Sequence, residues 1–344
     1  MLAECKKVRE AVGVFDQSSF AKFSVTGIDA LEVLNSISAN QIDVEPGRGV
    51  YTQWLNKRGG IEADLTVNRL GENDFWVITS AASQTKDFSW LTRASNKKSV
   101  TIEDITEDFS VIGVMGPLAR DTLDPISSVD LSNENFSFGS MKPIKISGIE
   151  CQALRMSYVG ELGWEIYVPT VDAVDVFDEI MQSGSSYDIC LAGYHAMNSL
   201  RLESGYRHWG HDITAMDTPL EAGLGFAVAW DKPDVFVGKE SLINQRNETR
   251  TKRLLQFRIE DSEILTYHDD PIFRDGELVG TTTGGMWSYT EDRCLTMGYT
   301  HSDSGVTKSW IDSGTWEIEV ATHRFKVTPS IKSFYDPKKE KIRL

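Results

Sequence analysis

In the stretch SYVGELGWEIYVP, the carboxylate of Glu165 and the phenol of Tyr167 are two residues apart, a spacing that can bring both to one site. Trp164, Ile166 and Val168 recur at the two-residue period of a β-strand. Glu165 and Tyr167 therefore share the opposite face of that strand. If this face is solvated, Glu165 is an ordinary surface residue, as most glutamates in strands are. If the face is concave and enclosed, Glu165 and Tyr167 line a polar site in which the carboxylate accepts hydrogen bonds from a ligand.

A second strand candidate, in NKRGGIEADLTV, also presents a carboxylate. Asp64, Thr66 and Asn68 share one face of it, whereas Leu65 and Val67 occupy the other. On pattern alone, this is a glycine turn that leads into a half-solvated strand. The Gly-Gly pair does not indicate a phosphate-binding loop, since neither a GxGxxG nor a Walker pattern accompanies it.

Two histidines in YRHWGHD, His208 and His211, are three residues apart. A zinc site needs three or four ligands at characteristic spacings, and no further ligand accompanies this pair, so the sequence predicts no metal site here. The sequence also contains no GxSxG nucleophile elbow and no cysteine paired locally with a histidine. Covalent catalysis by a side chain is therefore not indicated.

Two segments of the sequence share the same order of a strand, a glycine and a helix. KFSVTG precedes a helix candidate in IDALEVLNSIS, and SVIGVMGPLARDTL follows the same order. The two units share a glycine, an alanine and a leucine at equal offsets, which are Gly27, Ala30 and Leu34 in the first and Gly116, Ala119 and Leu123 in the second. This match indicates two related α+β units.

Further strands and helices follow from the pattern. The runs VYTQWLN, ADLTVNRL and DFWVITS are typical of strands. Helices are predicted for HAMNSLRLESGY and for TVDAVDVFDEIMQSG, the latter with Thr170 as N-cap and Gly184 as its end. The last part of the chain consists of strand patterns, and Asp275-Gly276 is a hairpin signal within it. These strand patterns predict that the segment forms a separate all-β domain, a small barrel.

The composition is that of a soluble globular protein. The chain has 344 residues, of which 40% are hydrophobic and 25% charged, and a prior of roughly 100–200 residues per domain predicts two or three domains. A formal net charge of −16 argues against non-specific binding to nucleic acid or to an anionic membrane, because both require clustered Lys and Arg. No signal peptide or membrane span is evident and the cysteines lack paired spacings, so we expect reduced thiols in a cytoplasmic protein.

Six motifs, in their order and spacing, resemble the glycine-cleavage T-protein (aminomethyltransferase) family: VGVFDQSSFAKFSVTG, LNKRGGIEADLTV, SYVGELGWEIYVP, NSLRLESGYRHWGHDITAMDTPLEAGL, FVGKESL and MGYT. Within the family, they look most like the folate-binding half of dimethylglycine and sarcosine dehydrogenases. The resemblance implies an α+β, three-domain cloverleaf with tetrahydrofolate in its central opening and a C-terminal β-barrel. We expect a folate-binding domain at 1–50 and 146–245, a second α+β domain at 51–145, and the barrel at 246–344.

The resemblance also implies roles for individual residues. Glu165 matches the glutamate that binds the exocyclic amine and the ring N–H of the pterin, in the fork geometry that makes charge-assisted pairs strong. Tyr158 matches its partner tyrosine, and Asp64 matches the catalytic aspartate near the folate nitrogens. The other pocket positions implied are Tyr51, Thr66, Ile78, Tyr167 and Arg201, and for Arg201 an ion pair with a nearby carboxylate is an equally open interpretation.

The activity that the resemblance implies is a tetrahydrofolate-dependent one-carbon transfer. An aminomethyl or methylene unit would pass from an N-methylated amine-derived donor to give 5,10-methylenetetrahydrofolate. A separate flavin-dependent dehydrogenase is the expected partner, because oxidising an N-methyl group needs a hydride acceptor and the sequence has no dinucleotide fingerprint. Met197 and Ser80 stand where the T-protein has Arg and Asn, which weakens the expectation of a lipoyl-carrier donor.

Two alternative functions stay open. One is a folate-dependent S- or O-demethylase that gives 5-methyltetrahydrofolate. The other is a non-catalytic folate-binding protein, as in the branch linked to iron-sulfur cluster assembly. That branch carries a cysteine motif where this chain has VFVGKESL, which contains no cysteine.

Overall fold

The computed structural model describes all 344 residues and contains two β-sheets and a closed β-barrel. The first sheet has six strands, in the spatial order Cys190–Leu191, Gly13–Asp16, Phe109–Met115, Gly163–Pro169, Ile149–Leu154 and Met141–Ile146. All neighbouring strands pair antiparallel except the two-residue edge strand, which runs parallel to its neighbour.

Two helices cover one face of the first sheet. Helices Ala119–Leu123 and Ala173–Ser183 contact strand Gly163–Pro169, and Trp164 and Ile166 are buried in their shared core. The alternation predicted for this strand is therefore present. Because successive side chains of a strand point to opposite faces, Glu165 lies on the side of the sheet away from these helices.

The helix Ala173–Ser183 ends before Gly184, as predicted, but Thr170 is not its N-cap. A short 3₁₀ turn at Thr170–Asp172 precedes the helix. The Thr170 hydroxyl instead donates a 2.8 Å hydrogen bond to the Glu107 carbonyl oxygen, outside the helix.

The second sheet has five antiparallel strands, in the order Arg48–Leu55, Ile61–Arg69, Asp74–Thr79, Ala21–Thr26 and Thr101–Asp104. Its core includes side chains of helices Ala30–Ile37 and Gln84–Ala94, together with Leu65 and Val67. The opposite face carries Asp64 and Thr66, so both polar faces singled out in the sequence lie away from these helical layers.

The strand, glycine and helix unit occurs twice, as predicted. Gly27 follows strand Ala21–Thr26 with a φ of +127°, and Gly116 follows strand Phe109–Met115 with a φ of +144°. A Cβ at Gly27 would lie 2.2 Å from the Ser99 carbonyl oxygen, and a Cβ at Gly116 would be similarly blocked by backbone. Both positions therefore require glycine for conformation and for space.

The C-terminal part forms a closed barrel of six strands, in the order Lys252–Ile259, Arg293–His301, Glu277–Ser288, His268–Arg274, Trp316–Val320 and His323–Ser330. Asp275 and Gly276, with φ of 51° and 86°, form the two-residue turn of the predicted hairpin. The helix Lys308–Ser313 contributes Ile311 to the barrel core. The predicted all-β barrel is thus confirmed.

The sheets divide the chain differently from the expected domain boundaries. Strand Ala21–Thr26, expected in the first domain, pairs within the second sheet. Strands Phe109–Met115 and Met141–Ile146, expected in the second domain, belong to the first sheet. Alternation along a strand identifies its buried face but not its partner strand, which lies far away in sequence.

The remaining helices are Leu2–Glu10, Tyr194–Glu203 and Lys239–Arg246. Arg9 joins the first of these to the rest of the molecule: its guanidinium lies 2.9 Å from a Glu161 carboxylate oxygen and 2.7 Å from one of Glu203, and all three side chains are buried. The Tyr335 hydroxyl also donates to Glu161. None of the helices combines the length and apolar character needed to cross a membrane.

Candidate functional site

The polar faces of the two sheets meet at a cavity of about 390 Å³. Strands of both sheets line it, and side chains of helix Tyr194–Glu203 and of residues 207–209 complete its wall. Seven of the eight site residues predicted from the sequence line this cavity: Tyr51, Asp64, Thr66, Ile78, Tyr158, Glu165 and Tyr167. Its volume lies within the range usual for small-molecule sites.

Three neighbouring strands of the second sheet supply one wall. Tyr51, Thr66 and Ile78 stand opposite one another in register, so their side chains project from the same face. Two residues along, Asp64 stands opposite Gln53, whose Nε2 donates a 2.9 Å hydrogen bond to Asp64 Oδ1. The strand pairing therefore presents a carboxylate, a hydroxyl and a phenol to the cavity together.

Asp64 is a carboxylate with altered acidity. Burial raises its pKa to about 6, although hydrogen bonds from Gln53 and Tyr51 and the charge of Arg207 oppose the rise. Burial also raises the pKa of Tyr51, and the neighbouring Asp64 carboxylate adds to that effect. Asp64 therefore changes protonation closer to neutral pH than an exposed aspartate does, which suits a group that holds or moves a proton.

The first sheet supplies the opposite wall. The Tyr167 hydroxyl donates a 2.7 Å hydrogen bond to Glu165 Oε2. Burial raises the pKa of Glu165 to about 7, and the hydrogen bond from Tyr167 opposes the rise. Glu165 stands opposite Gly113 in the neighbouring strand. Gly113 has no side chain, and the space that a Cβ there would occupy is filled by the amide of Gln17.

Tyr158 is held by the segment that follows helix Tyr194–Glu203. Its hydroxyl donates a 2.7 Å hydrogen bond to the Arg207 carbonyl oxygen, and its ring stacks on Tyr206 with centroids 6.1 Å apart. His208 also lines the cavity. Burial lowers the pKa of His208 to about 4, so its imidazole is neutral near pH 7 and can accept or donate a hydrogen bond.

Arg201 does not line the cavity. Its guanidinium forms a buried ion pair with Asp212, and it also donates to Asn198 Oδ1 at 2.8 Å and to the Tyr206 carbonyl oxygen at 3.0 Å. The same Asp212 carboxylate accepts the backbone N–H of His208 at 3.0 Å. The structure thus favours the ion-pair interpretation: Arg201 fixes the segment that carries cavity residues and does not itself face the cavity.

The histidine pair does not extend into a metal cluster. The rings of His208 and His211 are 4.5 Å apart between centroids, and His211 is exposed. No group of three or more His, Cys, Asp or Glu side chains in the chain is arranged to hold a metal ion.

Several cavity residues were not singled out from the sequence, among them Gln17, Phe20, Met156, Arg207 and Trp209. Gln17 and Phe20 lie in a connection between two strands, and the other three lie in or beside irregular segments. Strand and helix periodicity does not extend to such positions. The sequence signal for Gln17, Phe20, Arg207 and Trp209 is their place inside motifs shared with the family, whereas Met156 lies just before such a motif.

Comparisons with known proteins agree with this architecture. Residues 1–232 match the family model of the GCVT N-terminal domain, and residues 252–336 match that of the glycine cleavage T-protein C-terminal barrel domain. The crystal structure of the glycine cleavage system aminomethyltransferase T from Bartonella henselae superposes with a TM-score of 0.86 at 23% identity, covering 98% of this chain and 90% of that one. At that identity, the match bears on the fold alone.

Several relatives match over nearly the whole chain. A 4-methylaminobutanoate oxidase (formaldehyde-forming) from Paenarthrobacter nicotinovorans is 38% identical and human mitochondrial sarcosine dehydrogenase is 34% identical, each over 99% of this chain. The chain spans only 40% and 39% of their respective lengths. An aminomethyltransferase from Halothermothrix orenii is 34% identical, over 88% of this chain and 84% of its own.

Proposed function

Because the chain belongs to the glycine cleavage T-protein (aminomethyltransferase) family, we propose that it is a tetrahydrofolate-dependent one-carbon transferase. One observation carries the proposal: Asp64 and Glu165, from different sheets, line the same cavity, and burial raises the pKa of both. Two partly buried carboxylates on opposite walls suit a ligand that needs both a fixed anchor and a group that transfers a proton.

The residues present fit the pterin of tetrahydrofolate. A pterin is flat and partly apolar, with an amine and a ring N–H side by side. The cavity offers the aromatic rings of Tyr51 and Tyr158 and the Glu165 carboxylate. It also offers the buried amide of Gln17, whose polar atoms have no hydrogen-bond partner within the protein. This combination of apolar walls with a few buried polar groups is typical of sites for such heterocycles.

Each of the two carboxylates has a distinct task in this proposal. Glu165, ionised and oriented by Tyr167, binds the amine and ring N–H in a charge-assisted fork. Asp64 Oδ1 accepts a hydrogen bond from Gln53, so we assign proton transfer to the other carboxylate oxygen, Oδ2. The Asp64 carboxylate also stabilises positive charge on the one-carbon donor. When bound, tetrahydrofolate supplies the nitrogen nucleophile that accepts the one-carbon unit.

We further propose that the donor derives from an N-methylated amine and that the product is 5,10-methylenetetrahydrofolate. The relatives named above as 4-methylaminobutanoate oxidase and sarcosine dehydrogenase are named for N-methylated amines. Oxidation of an N-methyl group requires a hydride acceptor such as a flavin. A separate flavin-dependent dehydrogenase that generates the one-carbon unit is therefore the partner in this proposal.

The test combines the purified protein, tetrahydrofolate, and sarcosine or dimethylglycine, with and without a flavin-dependent dehydrogenase for the amine. Free formaldehyde condenses with tetrahydrofolate unaided, so initial rates must be compared rather than final yields. We expect the protein to raise the rate of methylenetetrahydrofolate formation and to lower formaldehyde release only when the dehydrogenase is present. The Asp64→Asn protein should lose this gain.

Three results would count against parts of the proposal. Failure of the protein to bind tetrahydrofolate would reject it as a whole. An enzymatic rate from the amine without any dehydrogenase would reject the partner. Formation of 5-methyltetrahydrofolate from a sulfonium or methoxy compound would favour the demethylase alternative.

A further inference from the structure

Gln17 is a buried amide at the cavity whose polar atoms have no partner. It follows strand Gly13–Asp16, and its backbone N–H donates a 2.9 Å hydrogen bond to the Val111 carbonyl oxygen, which extends the pairing of the first sheet. The side chain is only 2% exposed and lines the cavity. Neither Oε1 nor Nε2 has a hydrogen-bond partner within the protein.

An unpaired buried amide destabilises a fold, because burial removes its hydrogen bonds to water and nothing replaces them. A leucine or methionine of similar size would avoid this cost at position 17. No protein group satisfies the amide although Gln17 lines the cavity, so a bound ligand that contacts the amide would supply the hydrogen-bond partner it lacks.

Gly113 relates the position of the Gln17 amide to that of Glu165. Gly113 and Glu165 stand opposite one another on neighbouring strands, so a side chain at 113 would project from the same face as Glu165. A Cβ built on Gly113 would lie 2.3 Å from Gln17 Oε1 and 3.1 Å from Gln17 Cδ. The Gln17 amide therefore occupies the space that a side chain at position 113 would fill, on the sheet face that carries Glu165.

We propose that Gln17 is a ligand-recognition residue in addition to Glu165, and that it donates a hydrogen bond to the carbonyl group next to the ring N–H of the bound heterocycle. The inference rests on the proposed function and deepens it. In a pterin, the ring N–H lies between the exocyclic amine and a carbonyl oxygen. Glu165 accepts hydrogen bonds from the amine and the N–H, and Gln17 Nε2 donates to the carbonyl oxygen. Together, the two side chains select heterocycles with amine, N–H and carbonyl in a row.

The first experiment compares Gln17→Met with the unsubstituted protein by calorimetric titration with tetrahydrofolate and by thermal unfolding without ligand. Loss of one hydrogen bond should weaken binding about 2- to 12-fold. The melting temperature of the ligand-free protein should stay the same or rise, because an unpaired amide has been removed. A merely structural glutamine would give the reverse, a lower melting temperature with unchanged affinity.

Asn68→Leu is the matched control. Asn68 is also fully buried, both of its amide atoms lack partners, and it lies on the strand that carries Asp64 but does not line the cavity. Its replacement removes an unpaired buried amide from the second sheet, away from the cavity lining, and should leave the affinity for tetrahydrofolate unchanged. An equal loss of affinity in the two variants would show a general effect of core substitution and would overturn the proposal.

A second measurement keeps the inference testable if Gln17→Met lowers the amount of folded protein. The ligand is then the 2,4-diamino analogue of tetrahydrofolate, in which an amine replaces the carbonyl and the adjacent ring nitrogen carries no hydrogen. The loss of that N–H affects the contact with Glu165 equally in both proteins, so the change in ratio between them reports on Gln17. The ratio of the two dissociation constants is independent of the folded fraction. The preference for the carbonyl form should fall in Gln17→Met by about the factor lost in affinity. An unchanged ratio would overturn the inference, whereas absence of binding to the unsubstituted protein would instead reject the proposed function.

Discussion

The Tyr167 hydroxyl donates a 2.7 Å hydrogen bond to Glu165 Oε2, and the two residues lie two positions apart on one strand. The strand places both side chains on the cavity wall, and burial there raises the pKa of Glu165 to about 7. The hydrogen bond partly opposes that rise, because it stabilises the ionised form. In the proposed site, Tyr167 would therefore act on the ligand through the charge state and orientation of Glu165.

This relationship predicts how tetrahydrofolate affinity depends on pH. The ionised form of Glu165 accepts the amine and N–H pair, so affinity should increase as pH rises through about 7 and then level off. Tyr167→Phe removes the hydrogen bond that favours ionisation, so the midpoint should move to higher pH. Calorimetric dissociation constants across this pH range provide the measurement.

Glu165→Gln is the control for that series. It should weaken binding by about 2 kcal/mol, because a charge-assisted pair is lost. It should also remove the pH dependence centred near 7 and leave only the contribution of Asp64, whose pKa is about 6. If the unsubstituted protein binds with pH-independent affinity, Glu165 is not the anchor.

The stability of the ligand-free protein should fall as pH rises. Folding raises the pKa of Asp64 from 3.8 to about 6 and that of Glu165 from 4.5 to about 7. Between these values, the folded state holds more protons than the unfolded state, so the stabilisation is complete below pH 3.8 and is lost as pH approaches 7. Each carboxylate should lower the free energy of unfolding by about 1.4 kcal/mol per pH unit within its own range.

Urea denaturation at several pH values measures this effect, with the double variant Asp64→Asn, Glu165→Gln as the reference. Other buried acids also titrate, so the informative quantity is the difference between the two proteins. The double variant should show a flatter decline of stability with pH. Parallel curves for the two proteins would contradict the raised pKa values.

Asp64→Asn should separate binding from chemistry. The amide can still accept the hydrogen bond from Gln53 through its oxygen, so tetrahydrofolate should remain bound. Turnover with the dehydrogenase should fall by about 10²- to 10⁴-fold, the usual contribution of a positioned acid or base. Single-turnover rates at saturating tetrahydrofolate provide the measurement.

The matched control for that variant is Asp87→Asn. Burial also raises the pKa of Asp87 to about 6, but Asp87 lies outside the cavity lining and accepts a 2.7 Å hydrogen bond from Thr79. It should retain normal turnover. Equal losses in the two variants would mean that removal of a buried charge, and not catalysis, explains the effect at Asp64.

Arg9 should be essential for stability and irrelevant to cavity chemistry. Arg9→Met leaves the buried carboxylates of Glu161 and Glu203 without their cation and should lower the free energy of unfolding by about 3–5 kcal/mol. Lys98→Met breaks a more exposed pair with Glu32 and should lower the free energy of unfolding far less than Arg9→Met does. Chemical denaturation compares them; similar values for the two variants would show that the Arg9 network is not structurally important.

The sequence alone determined the local structure of this protein, namely which side chains share a strand face and where a hairpin turns. Two-residue alternation placed Glu165 and Tyr167 on one strand face and Asp64 and Thr66 on another, and Asp275-Gly276 marked a hairpin of the barrel. These features depend on backbone geometry over a few residues, which the side-chain pattern records directly. Family motifs then indicated which polar faces belong to one site.

Only the tertiary structure decided how those faces combine. Strand Ala21–Thr26 pairs within the second sheet against expectation, and Arg201 forms an ion pair with Asp212 instead of lining the cavity. Gln17 is buried at the cavity without a hydrogen-bond partner. Strand pairing, ion pairing and burial join residues that are distant along the chain, so local periodicity does not specify them. The raised pKa of Glu165 has the same origin, because its main cause is the removal of water by residues from several elements.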